Sequence, residues 1–299
     1  MTCPACDGET SRALGAKNGF LLRDCDGCGA LFVDPSASPD ADPAALYAQG
    51  YAEEEAMPSL VAASLETLVR GCESFRRTGR WLDVGYGQGD LLAIASAHLW
   101  SCYGTEVAQP ALARARQRGW TVAEDADADP RFVREGFDVV TMIELLEHVP
   151  RPRRFLRAAA AWLRPGGLLY VTTPNARSLN RRALGLGWSV VVPPEHLTLF
   201  SARALSAGLA EAGFGRVRLR TEGLNPYEIL ARLKRPGGRD GAGPAFNRNE
   251  SAQQLAAALS GGTARRALKT GINRCLSLLR LGDTLKAWAV RDHARRGAA

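Results

Sequence analysis

The sequence predicts an α/β protein with a mainly parallel sheet, preceded by a small zinc ribbon. Short apolar runs alternate with helical stretches between residues 80 and 173, and two Cys-x-x-Cys pairs lie near the start. Strands that alternate with helices form parallel sheets covered on both faces, whereas paired Cys-x-x-Cys turns hold metal ions. The 299 residues are enough for one large core and a small appended module.

The two cysteine pairs form the first motif. They are Cys3 with Cys6 and Cys25 with Cys28. Four thiolates at this spacing close a tetrahedron around zinc and leave no open ligand position, so we expect a structural rather than a catalytic ion. A module of 38 residues has too small a core to fold alone, and bound metal would supply much of its folding free energy.

The alternating elements follow a linker at residues 35–43 and a predicted amphipathic helix at 59–77. Predicted strands cover residues 81–84, 102–106, 121–123, 137–142 and 168–173, and predicted helices cover 90–97, 110–118 and 152–163. A helix at 201–212 and strands at 217–221 and 284–291 complete the pattern. Ligands of such sheets bind beyond the carboxyl ends of the strands.

These patterns divide the chain into five segments. They are a zinc ribbon (1–38), a linker with a helix (39–79), a cofactor-binding core (80–225), a helical insertion (226–282) and a final strand with a tail (283–299). Within the insertion, residues 236–244 are rich in glycine, and residues 252–259 and 264–281 have a helical pattern.

A glycine-rich turn follows the first strand of the core. Gly85, Gly87 and Gly89 allow a tight strand-to-helix turn whose backbone approaches a ligand closely. Glu106 ends the second strand, where a carboxylate accepts hydrogen bonds from both ribose hydroxyls. Asp125 follows the third strand and is placed to meet an adenine edge. A nicotinamide dinucleotide site uses a similar turn, but Asp90 at the helix start disfavours a pyrophosphate.

Several motifs together resemble one family. DVGYGQG, Glu106, FDVVTMIELLEHV and LRPGGLLYVTTPN are similar to the class I S-adenosylmethionine (SAM)-dependent methyltransferases, and most of all to the ubiquinone-biosynthesis O-methyltransferases. The resemblance covers residues 80–221 and the strand at 284–291. It implies a Rossmann-like, seven-stranded sheet whose last strand is antiparallel. It also implies that SAM binds the glycine turn and Glu106, with Asp83 orienting the methionine ammonium group.

The sequence departs from the family's pattern at Tyr86, where relatives often have Cys or Ala. The packing of the cofactor at that position is therefore open. Tyr47 and Tyr51, just after the linker, are candidates to close over the cofactor.

The candidate catalytic residues follow the fourth and fifth strands. Glu144, Glu147 and His148 share one face if their segment forms a helical turn, and His196 lies in a later loop. One hypothesis is a divalent metal, such as Mg or Mn, held by these four residues and activating a substrate oxygen. The other is that His148 or His196 acts as a general base while Glu147 and His148 form a structural turn.

Three functions compete. The first is methyl transfer to a small molecule, such as a secondary metabolite, a quinone or phenol, or a saccharide. The second is methyl transfer to RNA, which the basic residues after Gly215 would favour, although the ribbon offers few basic or aromatic residues. The third is a non-catalytic SAM-binding scaffold. Arg177, Arg181 and Arg182 are either phosphate ligands or surface arginines.

Location follows from what the sequence lacks. No apolar run approaches the roughly 18–20 residues that span a bilayer, and the N-terminus has no secretory pattern. We therefore expect a cytoplasmic protein without a membrane span. The sequence indicates no oligomeric state.

Overall fold

The computed structural model describes residues 1–36, 51, 56–233 and 262–293. Most of the linker at 35–43, Tyr47, the glycine-rich piece at 236–244 and the helix predicted at 252–259 lie outside the described residues. Among the described residues, no helix is long and apolar enough to cross a membrane.

The structure contains eleven described strands and eight described α-helices. The strands are β1 (Ser11–Lys17), β2 (Phe20–Cys25), β3 (Leu31–Val33), β4 (Arg80–Val84), β5 (Ser101–Thr105), β6 (Thr121–Ala123), β7 (Phe137–Ile143), β8 (Leu163–Pro174), β9 (Thr198–Leu199), β10 (Phe214–Glu222) and β11 (Thr284–Arg291). The helices are α1 (Ser59–Cys72), α2 (Asp90–Ala97), α3 (Gln109–Gln117), α4 (Pro152–Trp162), α5 (Leu179–Leu184), α6 (Ala202–Glu211), α7 (Pro226–Leu233) and α8 (Gly262–Leu279). Short 3-10 turns cover Glu73–Phe75 and Gly185–Gly187.

The large sheet confirms the predicted fold class. Its seven strands run in the order β10-β11-β8-β7-β4-β5-β6. The pairs β4–β5, β4–β7, β5–β6 and β7–β8 are parallel, and the C-terminal strands are antiparallel. Residues of β4 and β7 are almost all buried, as expected for strands covered on both faces.

Element boundaries differ from the predicted ones by a few residues. The first helix ends at Cys72, because the chain tightens there into the 3-10 turn Glu73–Phe75. Strand β8 begins at Leu163, five residues before its apolar run, and the register against β7 shifts between Phe137 and Val139. The irregular segment around Gly166 and Gly167 hides the start of this strand from a pattern search.

The chain forms two compact units, each built from segments distant in sequence. The first unit contains Met1–Ala41, Thr173–Ser206 and Leu219–Lys286, and the second contains Asp42–Thr172, Ala207–Arg218 and Ala287–Ala299.

The first unit contains a second, four-stranded sheet in the order β1-β2-β3-β9. Its three N-terminal strands pair antiparallel, and β9 extends them from a later part of the chain. Phe20, Leu22 and Leu31 pack with Trp188 and Val190 in one apolar cluster. The ribbon therefore buries apolar side chains against the segment that follows β8, which offsets the small size of its own core.

The second unit contains a large apolar cluster. Trp81 and Val139 of the sheet pack with Leu92 of α2 and Leu112 of α3. Val69 of α1 joins them, so the predicted helix before the core packs on this sheet. This packing fixes the strand ends from which the candidate site is built.

Candidate functional site

The glycine turn lies between β4 and α2, as predicted. Gly85, Gly87 and Gly89 have φ angles of 70°, 55° and 84°, a region that side chains rarely adopt. The Gly85 amide donates to the Thr105 carbonyl at 2.8 Å, which ties the turn to the end of β5. A Cβ atom at Gly85 would lie 2.8 Å from Cδ1 of Leu145. The three glycines are therefore required by the backbone geometry and by close approach.

Glu106 faces this turn and is held by three backbone amides. Its Oε2 accepts from Gly87 N at 3.0 Å, and its Oε1 accepts from Val107 N at 2.7 Å and Ala108 N at 3.1 Å. A carboxylate offers about four lone pairs, so about one remains, on Oε2. In this arrangement Glu106 can accept one ribose hydroxyl, and accepting both would displace an amide.

A cavity of about 340 Å³ opens beside the turn and Glu106, within the second unit. Its lining includes Tyr51, Glu144, His148 and Phe155. This volume lies in the usual range for small-molecule sites. A Cβ atom at Gly87 would lie 3.1 Å from the Tyr51 hydroxyl, so Tyr51 lies over the turn. The arrangement fits an adenosyl cofactor: a carboxylate for the ribose, the Gly85 backbone in the lining and apolar walls.

Asp83 lies behind the turn as the last link of a buried hydrogen-bond chain. The Trp81 indole donates to the Thr141 hydroxyl at 3.1 Å, and that hydroxyl donates to Asp83 Oδ1 at 2.6 Å. Burial raises the pKa of Asp83 to about 7; the Thr141 hydrogen bond lowers this pKa and the Glu106 charge raises it. An ammonium group nearby would restore the ionised form, because opposite charges favour ionisation.

Asp125 lines a neighbouring hollow of about 210 Å³. Its Oδ1 accepts from the Asp127 amide at 2.9 Å. The hollow shares Val84, Thr105, Glu124 and Phe155 with the main cavity. Glu124, one residue earlier, lines both cavities. The only feature of the sequence that could have identified it as a lining residue is its position directly after β6.

The structure shows how the bulky side chain of Tyr86 packs within the glycine turn. It is buried, and a Cβ atom at Gly104 of β5 would lie 2.4 Å from its Cδ1. The bulky ring therefore fits because the neighbouring strand has a glycine at that register. Burial raises the pKa of Tyr86 well above its usual value, so the phenol stays protonated.

The candidate catalytic residues after β7 lie on a turn and not on a helix. Glu144 has a φ angle of 49° and is exposed, and the His148 amide donates to the Leu145 carbonyl at 3.0 Å. Glu144 and His148 both line the main cavity. Glu147 is fully buried, and its Oε1 lies 3.9 Å from His148 Nε2.

His196 belongs to the first unit. Its Nδ1 lies 2.6 Å from the Val190 carbonyl oxygen, which requires the proton on Nδ1 and leaves Nε2 as the acceptor nitrogen of the neutral ring. The short loop Val190–His196 therefore orients this imidazole.

The four predicted metal-binding cysteines come together in the first unit. Cys3 Sγ lies 3.7 Å from Cys28 Sγ, Cys6 Sγ lies 3.6 Å from Cys25 Sγ, and all four sulfur atoms lie within 4.8 Å of one another. Zn–S bonds of about 2.3 Å in a tetrahedron place sulfurs about 3.8 Å apart. The cluster therefore has the size of a tetrathiolate metal site.

Backbone amides and a hydroxyl support this cluster. The amides of Gly8 and Cys28 lie 3.4 Å and 3.5 Å from the sulfurs of Cys6 and Cys25. Such N–H···S contacts stabilise thiolate ligands. The Ser201 hydroxyl donates to the Cys28 carbonyl at 2.5 Å.

A family model described as "Methyltransferase domain" matches residues 50–219. The chain belongs to this methyltransferase-domain family. The match contains the glycine turn, Glu106 and the turn after β7. It confirms the prediction of a class I SAM-dependent methyltransferase.

The curated relatives of this methyltransferase cover only part of it. The ubiquinone biosynthesis O-methyltransferase of Marinobacter nauticus is 37% identical over 109 residues, or 32% of this chain and 44% of that protein. The protein of the same name from Parvibaculum lavamentivorans is 31% identical over 161 residues, or 49% of this chain and 63% of that protein. The methyltransferase thus spans about half the length of these relatives.

A solved structure of a SAM-dependent methyltransferase from Archaeoglobus fulgidus has a TM-score of 0.50 and 17% identity, covering 78% of this chain and 93% of that one. At this identity the likeness shows the fold alone, and it agrees with the seven-stranded sheet of this methyltransferase.

Proposed function

We propose that this protein transfers the methyl group of SAM to an oxygen of a small-molecule acceptor. The observation that carries this proposal is one cavity that joins the glycine turn and Glu106 to Glu144 and His148. The first group of residues suits an adenosyl cofactor and the second suits an acceptor hydroxyl. The names of the curated relatives support an oxygen acceptor of the quinone or phenol type.

Bound SAM would supply a methyl group on a positively charged sulfur. The residues of the chain then have two tasks: to align the acceptor with that methyl and to raise the basicity of its oxygen. His148 would accept the proton of the acceptor hydroxyl on its imidazole, so that the oxygen could take the methyl group while SAM leaves as its demethylated product. Glu147, buried beside His148, would stabilise the imidazolium that results.

His196 and Glu144 have supporting roles in this proposal. His196 is a second candidate base, since its Nδ1 is engaged with Val190 and its Nε2 is the acceptor nitrogen. Glu144 lines the cavity and is exposed, so it can accept a hydrogen bond from a second acceptor hydroxyl. Asp83, Gly85, Gly87, Gly89, Glu106 and Asp125 remain the proposed cofactor residues.

A divalent ion such as Mg or Mn held by Glu144, Glu147, His148 and His196 is the alternative way to activate the acceptor oxygen. Chelation followed by restoration with Mg or Mn, together with a Glu144→Gln variant whose cysteine site is intact, tests this prediction. Activity that survives chelation contradicts it. No observation favours the RNA-methyltransferase or scaffold alternatives.

We further propose that the four cysteines hold a structural zinc ion, since their sulfur separations match a ZnS₄ tetrahedron. The ion would fix the ribbon and take no part in methyl transfer, because four protein ligands leave no open position.

The experiment separates cofactor binding from transfer. Calorimetry with the zinc-loaded protein measures SAM affinity, and labelled SAM measures transfer to phenolic acceptors. We expect His148→Gln to lower kcat by about 10²–10⁴-fold while SAM affinity stays within about threefold. His98→Gln is the matched control, since His98 is hydrogen-bonded to Glu66 on α1.

Two results would overturn the proposal. Absence of SAM binding by folded protein would remove the cofactor assignment. Unchanged kcat in His148→Gln would remove His148 as the base, and the same measurement on His196→Gln would then test the second candidate.

A further inference from the structure

An arginine cluster lies on the ribbon side of the first unit, around one buried carboxylate. We define it as Arg12, Arg177 and Arg181. Arg12 and Asp24 are directly paired across β1 and β2, and Arg12 Nη2 lies 3.3 Å from Asp24 Oδ2. Arg177 Nη1 lies 3.7 Å from the same oxygen. Asp24 is buried, and its carboxylate holds the guanidinium groups of Arg12 and Arg177 in place.

Arg177 is positioned by the second cysteine pair. Its Nε donates to the Gly29 carbonyl at 2.9 Å. Gly29 has a φ angle of 77°, and a Cβ atom there would lie 2.9 Å from Arg177 Nε. The ribbon therefore has a glycine where Arg177 lies against its backbone.

Arg181 has a donor that the described residues do not satisfy. Its Nε is buried and has no hydrogen-bond partner among them. Burial lowers the pKa of Arg181, Asp24 raises it and Arg177 lowers it further. Arginine stays charged in proteins, so a partly buried cation is left with an unmet hydrogen bond, an arrangement that costs free energy unless an anion joins it.

Charge and geometry indicate the missing anion. Arg12 and Arg177 pair with Asp24, and Arg181 lies close enough to be influenced by the charges of Asp24 and Arg177. Three positive charges against one negative charge leave the cluster positive. The planar donor fork of arginine matches phosphate oxygens in a bidentate manner. Asp24 holds Arg12 and Arg177, and the backbone amide of Arg181 donates to the Ser178 hydroxyl at 3.1 Å, a contact that caps the start of α5.

We propose that Arg181, with Arg177 and Arg12, binds a phosphate group of a small-molecule ligand. This site does not depend on the proposed function. A phosphate ester or diphosphate carries several anionic oxygens, which the donor forks of these arginines can hold together.

Calorimetry on the full-length, zinc-loaded protein without SAM tests the site, with pyrophosphate as the probe at constant ionic strength. We expect pyrophosphate binding that weakens at least about tenfold in Arg181→Met, the effect of losing a charge-assisted hydrogen bond. Arg203→Gln is the matched control, since Arg203 is an exposed arginine of the same unit. Should Arg181→Met fail to fold, Arg181→Lys keeps the charge but loses the fork, and we expect it to weaken binding as well.

Failure of this inference and failure of the proposed function give different results. No pyrophosphate binding, or binding that is equal in wild type and Arg181 variants, overturns the phosphate site, while SAM uptake is unaffected. Absence of SAM uptake with intact pyrophosphate binding overturns the proposed function alone.

A nucleoside diphosphate compared with pyrophosphate distinguishes ester-linked phosphate from the free ion. Tighter binding of the nucleoside diphosphate supports a phosphorylated small-molecule ligand. Equal or weaker binding limits the site to free phosphate and overturns the claim that a phosphorylated molecule is its ligand.

Discussion

The glycine turn and the cysteine cluster are both short motifs for which we propose a ligand, but the contacts that support them differ. Glu106 accepts from the Gly87 amide only 19 residues away. The Cys28 carbonyl accepts from the Ser201 hydroxyl 173 residues away, and β3 is extended by β9. Loop closure costs entropy that grows with separation, so the turn forms from neighbouring βα units, whereas the cluster also needs a distant segment. A motif can therefore be recognised from residues close together in the sequence even where the contacts that stabilise it come from a distant segment.

The strongest test of this comparison is Cys28→Ser. Loss of one thiolate removes much of the metal-binding free energy, which is on the order of 10 kcal/mol for structural zinc. We expect loss of bound zinc and protease sensitivity of the first unit, measured by metal analysis and limited proteolysis. Cys275→Ser is the control, because Cys275 is exposed and outside the cluster. Full zinc content in Cys28→Ser would contradict the four-cysteine site.

The turn is tested by Glu106→Ala. This change removes the acceptor of three backbone amides and the proposed ribose ligand. We expect SAM affinity to fall by about 10²-fold, since hydrogen bonds to a charged group contribute about 1.5–3 kcal/mol. Glu124→Ala, in the lining of the same cavity, is the control and should change affinity less. An equal effect of both variants on calorimetric affinity would show that Glu106 has no special role.

Packing behind the turn is tested by Gly104→Ala. The new Cβ would lie 2.4 Å from Tyr86 Cδ1 and 3.0 Å from Leu92 Cδ1. We expect the free energy of unfolding to fall by about 1–3 kcal/mol, and Tyr86→Ala in the same chain to recover part of the loss. Gly187→Ala is the control, since no atom lies within 4 Å of its Cβ position. Urea unfolding measures the wild type, the two single variants, the double variant and the control. Additive effects of Gly104→Ala and Tyr86→Ala would argue against the contact.

A further expected effect concerns two buried aspartates with opposite pKa shifts. Burial raises the pKa of Asp83 to about 7, because the single hydrogen bond from the Thr141 hydroxyl does not offset the lost hydration of the carboxylate. Asp138 is buried too, but the amides of Arg77 and Gly79 and the Arg164 guanidinium hydrogen-bond to it and lower its pKa. Between about pH 4 and pH 7, folded Asp83 holds a proton that the unfolded chain has released, so this residue makes stability fall as pH rises.

The expected slope from Asp83 is at most about 1.4 kcal/mol per pH unit. Asp83→Asn cannot titrate, so we expect its free energy of unfolding to fall less than that of the wild type between pH 5 and pH 7. Urea unfolding at both pH values gives the comparison. The same pH dependence in both proteins would show that Asp83 is ionised throughout.

Much of the fold was predictable because its signals are periodic. Strand–helix alternation gave the helix Asp90–Ala97 and the strands Thr121–Ala123 and Thr284–Arg291 at their observed bounds. The two-residue strand Thr198–Leu199 and the short helix Leu179–Leu184 were not predicted. Elements this short carry too little periodicity and exist because they pair or pack with a partner distant in the chain.

The candidate site likewise contains some residues that the sequence indicates and others that only the folded structure reveals. Glycines with positive φ and the carboxylate at a strand end leave a local signature, so Gly87 and Glu106 could be named in advance. The lining residue Phe155 and the contact between Tyr86 and Gly104 could not, because each depends on a register or helix face set by the folded sheet. The expected helical turn at Glu144 is a turn with a left-handed residue, and i, i+3, i+4 spacing alone does not distinguish these conformations.

The sequence by itself determined the fold class, the family, the four thiols and the glycine turn, since each depends on residue types at fixed short spacing. Only the tertiary structure decided that Glu106 has about one lone pair left, that Tyr86 fits against a glycine, and that Arg181 lies partly buried beside Arg177. These properties arise from which atoms meet across the chain, and a linear pattern does not contain that information.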